Sequence, residues 1–163
     1  MKKVIFVFMS LIVMSCNNTA DKTVEEVEPS NSDRVMAIYD AFAIGDIDTV
    51  LANFTEDINW NEAENYIYAD GNPYIGKTAV LEGVFGRVGA EWEYWNLANT
   101  QFANVEDDKV LVTGRYQAKH KTTGKLIDAQ FAHLWTMKDT LASSFQQYAD
   151  TKQVAEAIIS DEE

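Results

Sequence analysis

From residue 94 to residue 149 the sequence is a nearly unbroken series of β-prone segments, 94–105, 109–120, 125–137 and 141–149. Only Asp107-Asp108, residues 121–124 and Asp139-Thr140 separate them. Connections that short leave no room for a crossover helix, so consecutive strands must pair antiparallel in a meander. Such a sheet needs one face covered, and the cover must come from elsewhere in the chain.

The cover is read in the first half. Ser32 is an acceptable N-cap for a helix over 33–44, with Val35, Ile38, Tyr39 and Phe42 at helical spacing and Gly45 placed to end it. Asp46 can cap a second short helix whose buried stripe is Val50, Leu51 and Phe54. Residues 57–62 alternate, with Ile58 and Trp60 on one side, and the segment carrying Tyr66, Tyr68 and Tyr74 turns at Gly71-Asn72-Pro73. A third helix over 77–88 buries Val80, Leu81, Val84 and Phe85, although Gly83 and Gly86 weaken it. A last helix over 151–159 starts behind Asp150 or Thr151. Helices followed by a meander predict an α+β fold, with helices on one face of a curved antiparallel sheet.

Composition narrows the function classes. At 163 residues the chain suits one domain, and 12% aromatic residues supply enough apolar surface to order it. One cysteine excludes a disulfide scaffold. With 13 Lys plus Arg against 26 Asp plus Glu, the net charge of -13 repels nucleic acid and anionic membrane surfaces.

The first residues read as an export leader. Lys2 and Lys3 precede an apolar run over 4–13 that is too short for a permanent span. It closes on Val13-Met14-Ser15-Cys16, which resembles the bacterial lipobox, with an aliphatic residue three before the cysteine and a small one just before it. The expected organisation is a lipoprotein signal peptide over 1–15, an acylated Cys16 heading a flexible acidic tether over 16–32, one domain over 33–159 and an acidic tail over 160–163. A membrane contact through lipid on Cys16 alone is implied, and the absence of Asp after Cys16 suggests the outer membrane.

Strand parity locates a pocket. A hairpin pairing His120 with Lys125 puts Val110, Val112, Gly114, Tyr116 and Ala118 on one face with Ile127, Ala129, Phe131, His133 and Trp135. Gly114 then lies opposite Phe131, where a missing side chain leaves room for a ring. Asp128 falls on the outer face near Arg115 and Gln117. A two-residue turn at Asp139-Thr140 brings His133 to Gln146, Phe131 to Tyr148 and Ala129 to Asp150, whereas a bulge in that hairpin would swap Gln146 for Gln147. The candidate site is thus His133 and Asp150 as acid–base groups, with Trp60, Tyr68, Tyr116, Phe131, Trp135, Gln146 and Tyr148 against a ligand. Two plainer roles stand beside these: a structural hydrogen bond for His133, and helix capping for Asp150. Burial among aromatics would put His133 below its ordinary pKa of about 6.5. His120, beside a hairpin turn, is expected in solvent. Leu111, Leu126, Leu134 and Phe145 fall on the outer face, a surface suited to a homodimer. The residues show no metal-ligand spacing, phosphate loop or serine elbow.

Several short pieces in a fixed order carry a family resemblance over about residues 33–159. They are Trp60, Tyr68-Ala69-Asp70-Gly71-Asn72-Pro73-Tyr74 running to Gly76, Gly83-Val84-Phe85, Trp92, Gly114-Arg115-Tyr116, Thr123-Gly124-Lys125, Phe131-Ala132-His133-Leu134-Trp135 and Gln147-Tyr148-Ala149-Asp150-Thr151. Together they resemble the SnoaL-like, ketosteroid isomerase-related branch of the nuclear transport factor 2-like superfamily. The resemblance implies a cone-shaped α+β barrel with a pocket at its open end and frequent dimers, but no single reaction. The catalytic trio of ketosteroid isomerase does not map cleanly onto this chain, and Tyr39, the first-helix tyrosine, is expected to be core. The expected function is a lipid-anchored domain binding a small apolar or aromatic molecule, with cofactor-free acid–base, isomerase-like chemistry as the activity such a pocket could carry. The alternative is a non-catalytic protein-interaction module with a vestigial pocket. Only Asp150 offers a carboxylate inside by parity, which counts against a hydrolase.

Overall fold

A computed structural model describes residues 28–160. The expected leader, Cys16, most of the tether and residues 161–163 lie outside the described residues. Helix α1 (Asn31–Ala43) begins two residues earlier than Ser32 would place it, because Ser30 and Asp33 form a reciprocal capping box. Helix α2 (Ile47–Ala52) is capped by Asp46 through the Thr49 backbone N–H. The third helical segment is continuous but irregular: α3 (Lys77–Val80), a π turn (Leu81–Phe85) and α4 (Gly86–Glu91). The π turn falls where Gly83 and Gly86 weaken the α-helix. The ring of Tyr74 occupies the space that a side chain at Gly83 would fill, only 2.1 Å from an ideal Cβ. Helix α5 (Thr151–Ile158) is capped by Asp150.

Six strands form one sheet: β1 (Phe54–Asn61), β2 (Tyr74–Ile75), β3 (Trp92–Glu106), β4 (Lys109–His120), β5 (Leu126–Lys138) and β6 (Leu141–Ala149). Their order is β2-β1-β6-β5-β4-β3. The architecture is the expected nuclear transport factor 2-like α+β fold, but the sheet is mixed, because β1 runs parallel to β6. This pairing brings Trp60 beside Phe145. The other strand pairs are antiparallel.

The β4–β5 register is the one parity predicts, with Val112 opposite His133, Gly114 opposite Phe131 and Gln117 opposite Asp128. A Cβ on Gly114 would stand 2.6 Å from the Phe131 ring. On the outer face Arg115 Nε donates to Asp128 Oδ1 at 2.6 Å. The β5–β6 hairpin departs from simple alternation. Lys138 pairs with Leu141 and Met137 with Ala142, and a shift then sets Thr136 against Ser144. Ser143 Oγ bonds the Thr136 carbonyl at 3.2 Å across this irregularity. From there on every side chain of β6 faces opposite to the unbulged expectation.

Phe145 is consequently buried rather than on the outer face, stacked 3.7 Å from Trp60. Tyr148 points out and is 56% exposed. His120 is buried, in contrast to the solvent position expected of it. The hairpin end it occupies is closed over by the end of α5, where Thr123 Oγ1 bonds the Ala157 carbonyl at 2.6 Å, and by the Trp92 ring. No helix among the described residues is long and apolar enough to cross a membrane.

Candidate functional site

The concave face of the sheet, α1, α2 and the π turn enclose a cavity walled mainly by aromatic rings. Its enclosed volume is about 70 Å³. That volume is below the roughly 300–1,000 Å³ of drug-sized sites, so the cavity as it stands suits a small ligand. Phe42 and Phe85, with ring centroids 5.8 Å apart, belong to the lining from α1 and the π turn. Trp60, Trp135 and Phe145 line the sheet side.

Two polar groups interrupt these walls. The first centres on His133, whose ring stacks on Phe131 at 4.1 Å. Its Nδ1 meets the Tyr39 hydroxyl at 2.5 Å and its Nε2 meets the Tyr116 hydroxyl. Trp135 Nε1 donates to the Tyr39 oxygen at 3.2 Å, and Gln147 Nε2 to the Tyr116 oxygen at 2.9 Å. Gln147 Oε1 accepts the Ala63 backbone N–H at 3.0 Å. Burial lowers the His133 pKa to about 3, so the ring is neutral throughout the physiological range. Burial likewise raises the Tyr39 and Tyr116 phenols well above their ordinary value.

The second group is Glu62, at the end of β1 and buried with 3% of its surface exposed. Its Oε1 accepts the Trp60 indole N–H at 2.6 Å, while its Oε2 is buried without a hydrogen-bond partner. Asn72 holds the backbone of Glu62 from both sides, accepting its N–H at 2.9 Å and donating to its carbonyl at 2.8 Å. Desolvation raises the Glu62 pKa from 4.5 to about 7, against the opposing Trp60 hydrogen bond. A carboxyl near 7 exchanges a proton at neutral pH, which is what a general base or acid requires. Tyr66 also lines the cavity, its phenol raised chiefly by burial and next by the nearby Glu62 charge.

The structure brings Trp60, Tyr116, His133 and Trp135 together around the cavity, as their parity requires. Phe131 backs the site rather than lining it, packed behind His133 and Tyr116. Tyr68 is not part of it. That side chain is buried 1% exposed at the other end of the loop, donating to Glu91 at 2.7 Å and accepting from Trp92 at 3.0 Å, with Arg87 over its ring. Gln146 and Tyr148 face outward because of the shift in β6, and Gln147 takes the inner place opposite His133. Asp150 lies past the end of β6 and caps α5, its Oδ1 accepting the Gln153 N–H at 3.2 Å. Parity does not single out Glu62, Tyr39 or Tyr66, which the fold adds to the cavity lining. Glu62 did carry a signal, since it continues the alternation of Ile58 and Trp60 by one more step.

The chain matches the family model of the SnoaL-like domain over residues 35–145. No curated protein matches it. Among solved structures it is similar to an NTF2-like protein of Burkholderia thailandensis, with 26% identity, a TM-score of 0.75 and coverage of 81% of this chain and 99% of that one. It is also similar to TerC co-crystallised with polyporic acid, with 25% identity, a TM-score of 0.69 and coverage of 78% and 97%. A protein of Xanthomonas campestris named as a polyketide cyclase shares the fold, with 21% identity, a TM-score of 0.68 and coverage of 80% and 100%.

Proposed function

The chain belongs to the SnoaL-like domain family, and on that premise we propose that it binds a small, planar, largely apolar carbonyl compound and moves a proton on it with its own side chains. In this reading Glu62 takes a proton from the carbon beside the carbonyl, and a hydroxyl of the His133 network donates a hydrogen bond to the oxygen as negative charge develops there. The observation that carries the proposal is the Glu62 carboxyl, buried in an aromatic cavity with Oε2 unpartnered and its pKa brought to about 7. Burying a polar atom without a partner costs roughly 1–3 kcal/mol, a cost that a vestigial pocket has no reason to retain. The relative co-crystallised with polyporic acid supports a planar ligand. The reaction type is that of the ketosteroid isomerase-related branch, with the base on Glu62 in place of His133 and Asp150.

The test is hydrogen–deuterium exchange into the methyl group of acetophenone in D₂O, followed by NMR. Exchange above the buffer rate is expected with the wild-type chain, reduced roughly 10²- to 10⁴-fold in Glu62→Gln. Equal exchange in the two proteins removes Glu62 as the base.

The same proposal places the domain on a tether. Residues 1–15 act as a lipoprotein signal peptide, Cys16 carries the lipid, and the mature chain is held at the outer membrane. Cys16→Ala should then leave the membrane fraction after a high-salt wash, and a variant that still sediments there refutes the anchor. We also propose a homodimer through the outer sheet face, where Leu126 is 68% exposed and Tyr148 is 56% exposed. Light scattering that gives a monomer mass at every concentration removes it.

A further inference from the structure

The donors and acceptors around His133 do not balance, and the imbalance faces the cavity. Trp135 Nε1 can only donate, and it donates to the Tyr39 oxygen. The amide of Gln147 has a determined orientation, because Oε1 must face the Ala63 N–H, a group that can only donate. Gln147 Nε2 therefore donates to the Tyr116 oxygen. Each hydroxyl thus accepts one hydrogen bond before His133 is considered.

Neutral His133 has one N–H and one lone pair, directed at these two hydroxyls. One tyrosine must donate to the lone pair, and the other must accept the N–H. The accepting tyrosine then holds two incoming bonds and has its own proton to spare. Among the described residues neither hydroxyl has a further hydrogen-bond partner to take that proton. Both tyrosines line the cavity. With the N–H on Nε2 the spare proton belongs to Tyr116; with it on Nδ1, to Tyr39.

We propose that Tyr39, His133 and Tyr116 form a two-state hydrogen-bond switch, in which the tautomer of His133 decides which hydroxyl offers its proton, and that a ligand carbonyl oxygen selects the state in which Tyr116 offers it. The inference rests on the small-molecule reading above and specifies the polar contact that the ligand makes. Tyr116 is the chosen end because Gln147 bonds both it and the Ala63 N–H next to Glu62, so a ligand oxygen at Tyr116 and a proton taken by Glu62 belong to the same end of the cavity. Passing between the states adds a proton at one ring nitrogen and removes one at the other, the tyrosines relaying them and exchanging the difference with water entering the cavity, so that both phenols are protonated in either state. His133 is in this sense a positioning residue, acting on the ligand through Tyr116.

The experiment is long-range proton–nitrogen NMR on the full chain with labelled histidine, which distinguishes the two neutral tautomers of His133. Tyr39→Phe deprives Nδ1 of its hydroxyl and frees the Trp135 N–H, so the Nε2–H tautomer is expected. Tyr116→Phe frees the Gln147 amide beside Nε2, so the Nδ1–H tautomer is expected. In the wild type, acetophenone should shift His133 toward Nε2–H. Ethylbenzene, which lacks the acceptor oxygen, should bind at least 10-fold more weakly and leave the tautomer unchanged. The same tautomer in both variants overturns the switch. Acetophenone that binds without moving the wild-type tautomer also overturns it, with no variant needed, and leaves the cavity reading intact. Acetophenone that does not bind overturns both.

Discussion

Glu62→Gln and His133→Phe should tilt the stability of this protein against pH in opposite directions. Burial raises the Glu62 carboxyl from 4.5 to about 7. Between those values the native state holds a proton that the unfolded chain has lost, so stability falls as pH rises. Burial lowers His133 from 6.5 to about 3. Between those values the unfolded chain holds a proton that the native state lacks, so stability rises with pH. The two windows overlap from 4.5 to 6.5. There the slopes, each about 1.4 kcal/mol per pH unit, cancel in the wild type. Glu62→Gln leaves the histidine slope alone, and stability should climb by about 3 kcal/mol across the overlap. His133→Phe leaves the carboxyl slope alone, and stability should drop by a similar amount. Each substitution also adds a constant offset from unpaired neighbours, roughly 1–3 kcal/mol, which is why slopes and not single values are compared. The aspartates lowered by their hydrogen bonds, Asp33, Asp46 and Asp70, act below this window. Urea denaturation at three pH values across the overlap measures the slopes. Variants that share the wild-type slope, or tilt the same way as each other, refute the assignment of both groups as buried and titrating in opposite senses.

Gly114→Ala should destabilise by about 1–3 kcal/mol in a thermal melt, since its Cβ would press on the Phe131 ring at 2.6 Å and on the Ala98 carbonyl at 3.0 Å. Gln147→Ala should cost about 2–3 kcal/mol by losing its bonds to the Ala63 N–H and Tyr116, while the outward Gln146→Ala should stay within about 0.5 kcal/mol of wild type; equal losses in denaturant titrations would contradict the bulged register of β6. Asp150→Ala should cost about 1 kcal/mol as a lost helix cap and leave acetophenone exchange at the wild-type rate, so a variant that stays folded but loses exchange would return Asp150 to the site.

What residue pattern alone determined is the part of the molecule governed by local chemistry. The four strands of the meander, the caps at Asp46 and Asp150, the β4–β5 register and the inward side of Tyr116, His133 and Trp135 all follow from turn spacing and alternation. A hairpin with a tight turn has its register set by residues that are neighbours in sequence, and one correct pairing orients every side chain along it. Tertiary structure decided the rest of the site. The shift in β6 turned Phe145 and Gln147 inward, and placed Phe145 against Trp60 of a strand far away in sequence. That contact depends on the parallel β1–β6 pairing, which no turn specifies. Tyr39 lies on an ordinary buried helical stripe, and only the docking of α1 onto β3 and β4 of the sheet brings its hydroxyl to His133. Glu62 alternates correctly with Trp60, yet its pKa near 7 comes from the closure of the cavity around it. Desolvation is a property of everything packed around a group, so a titratable side chain acquires its chemistry only when distant elements exclude water from it.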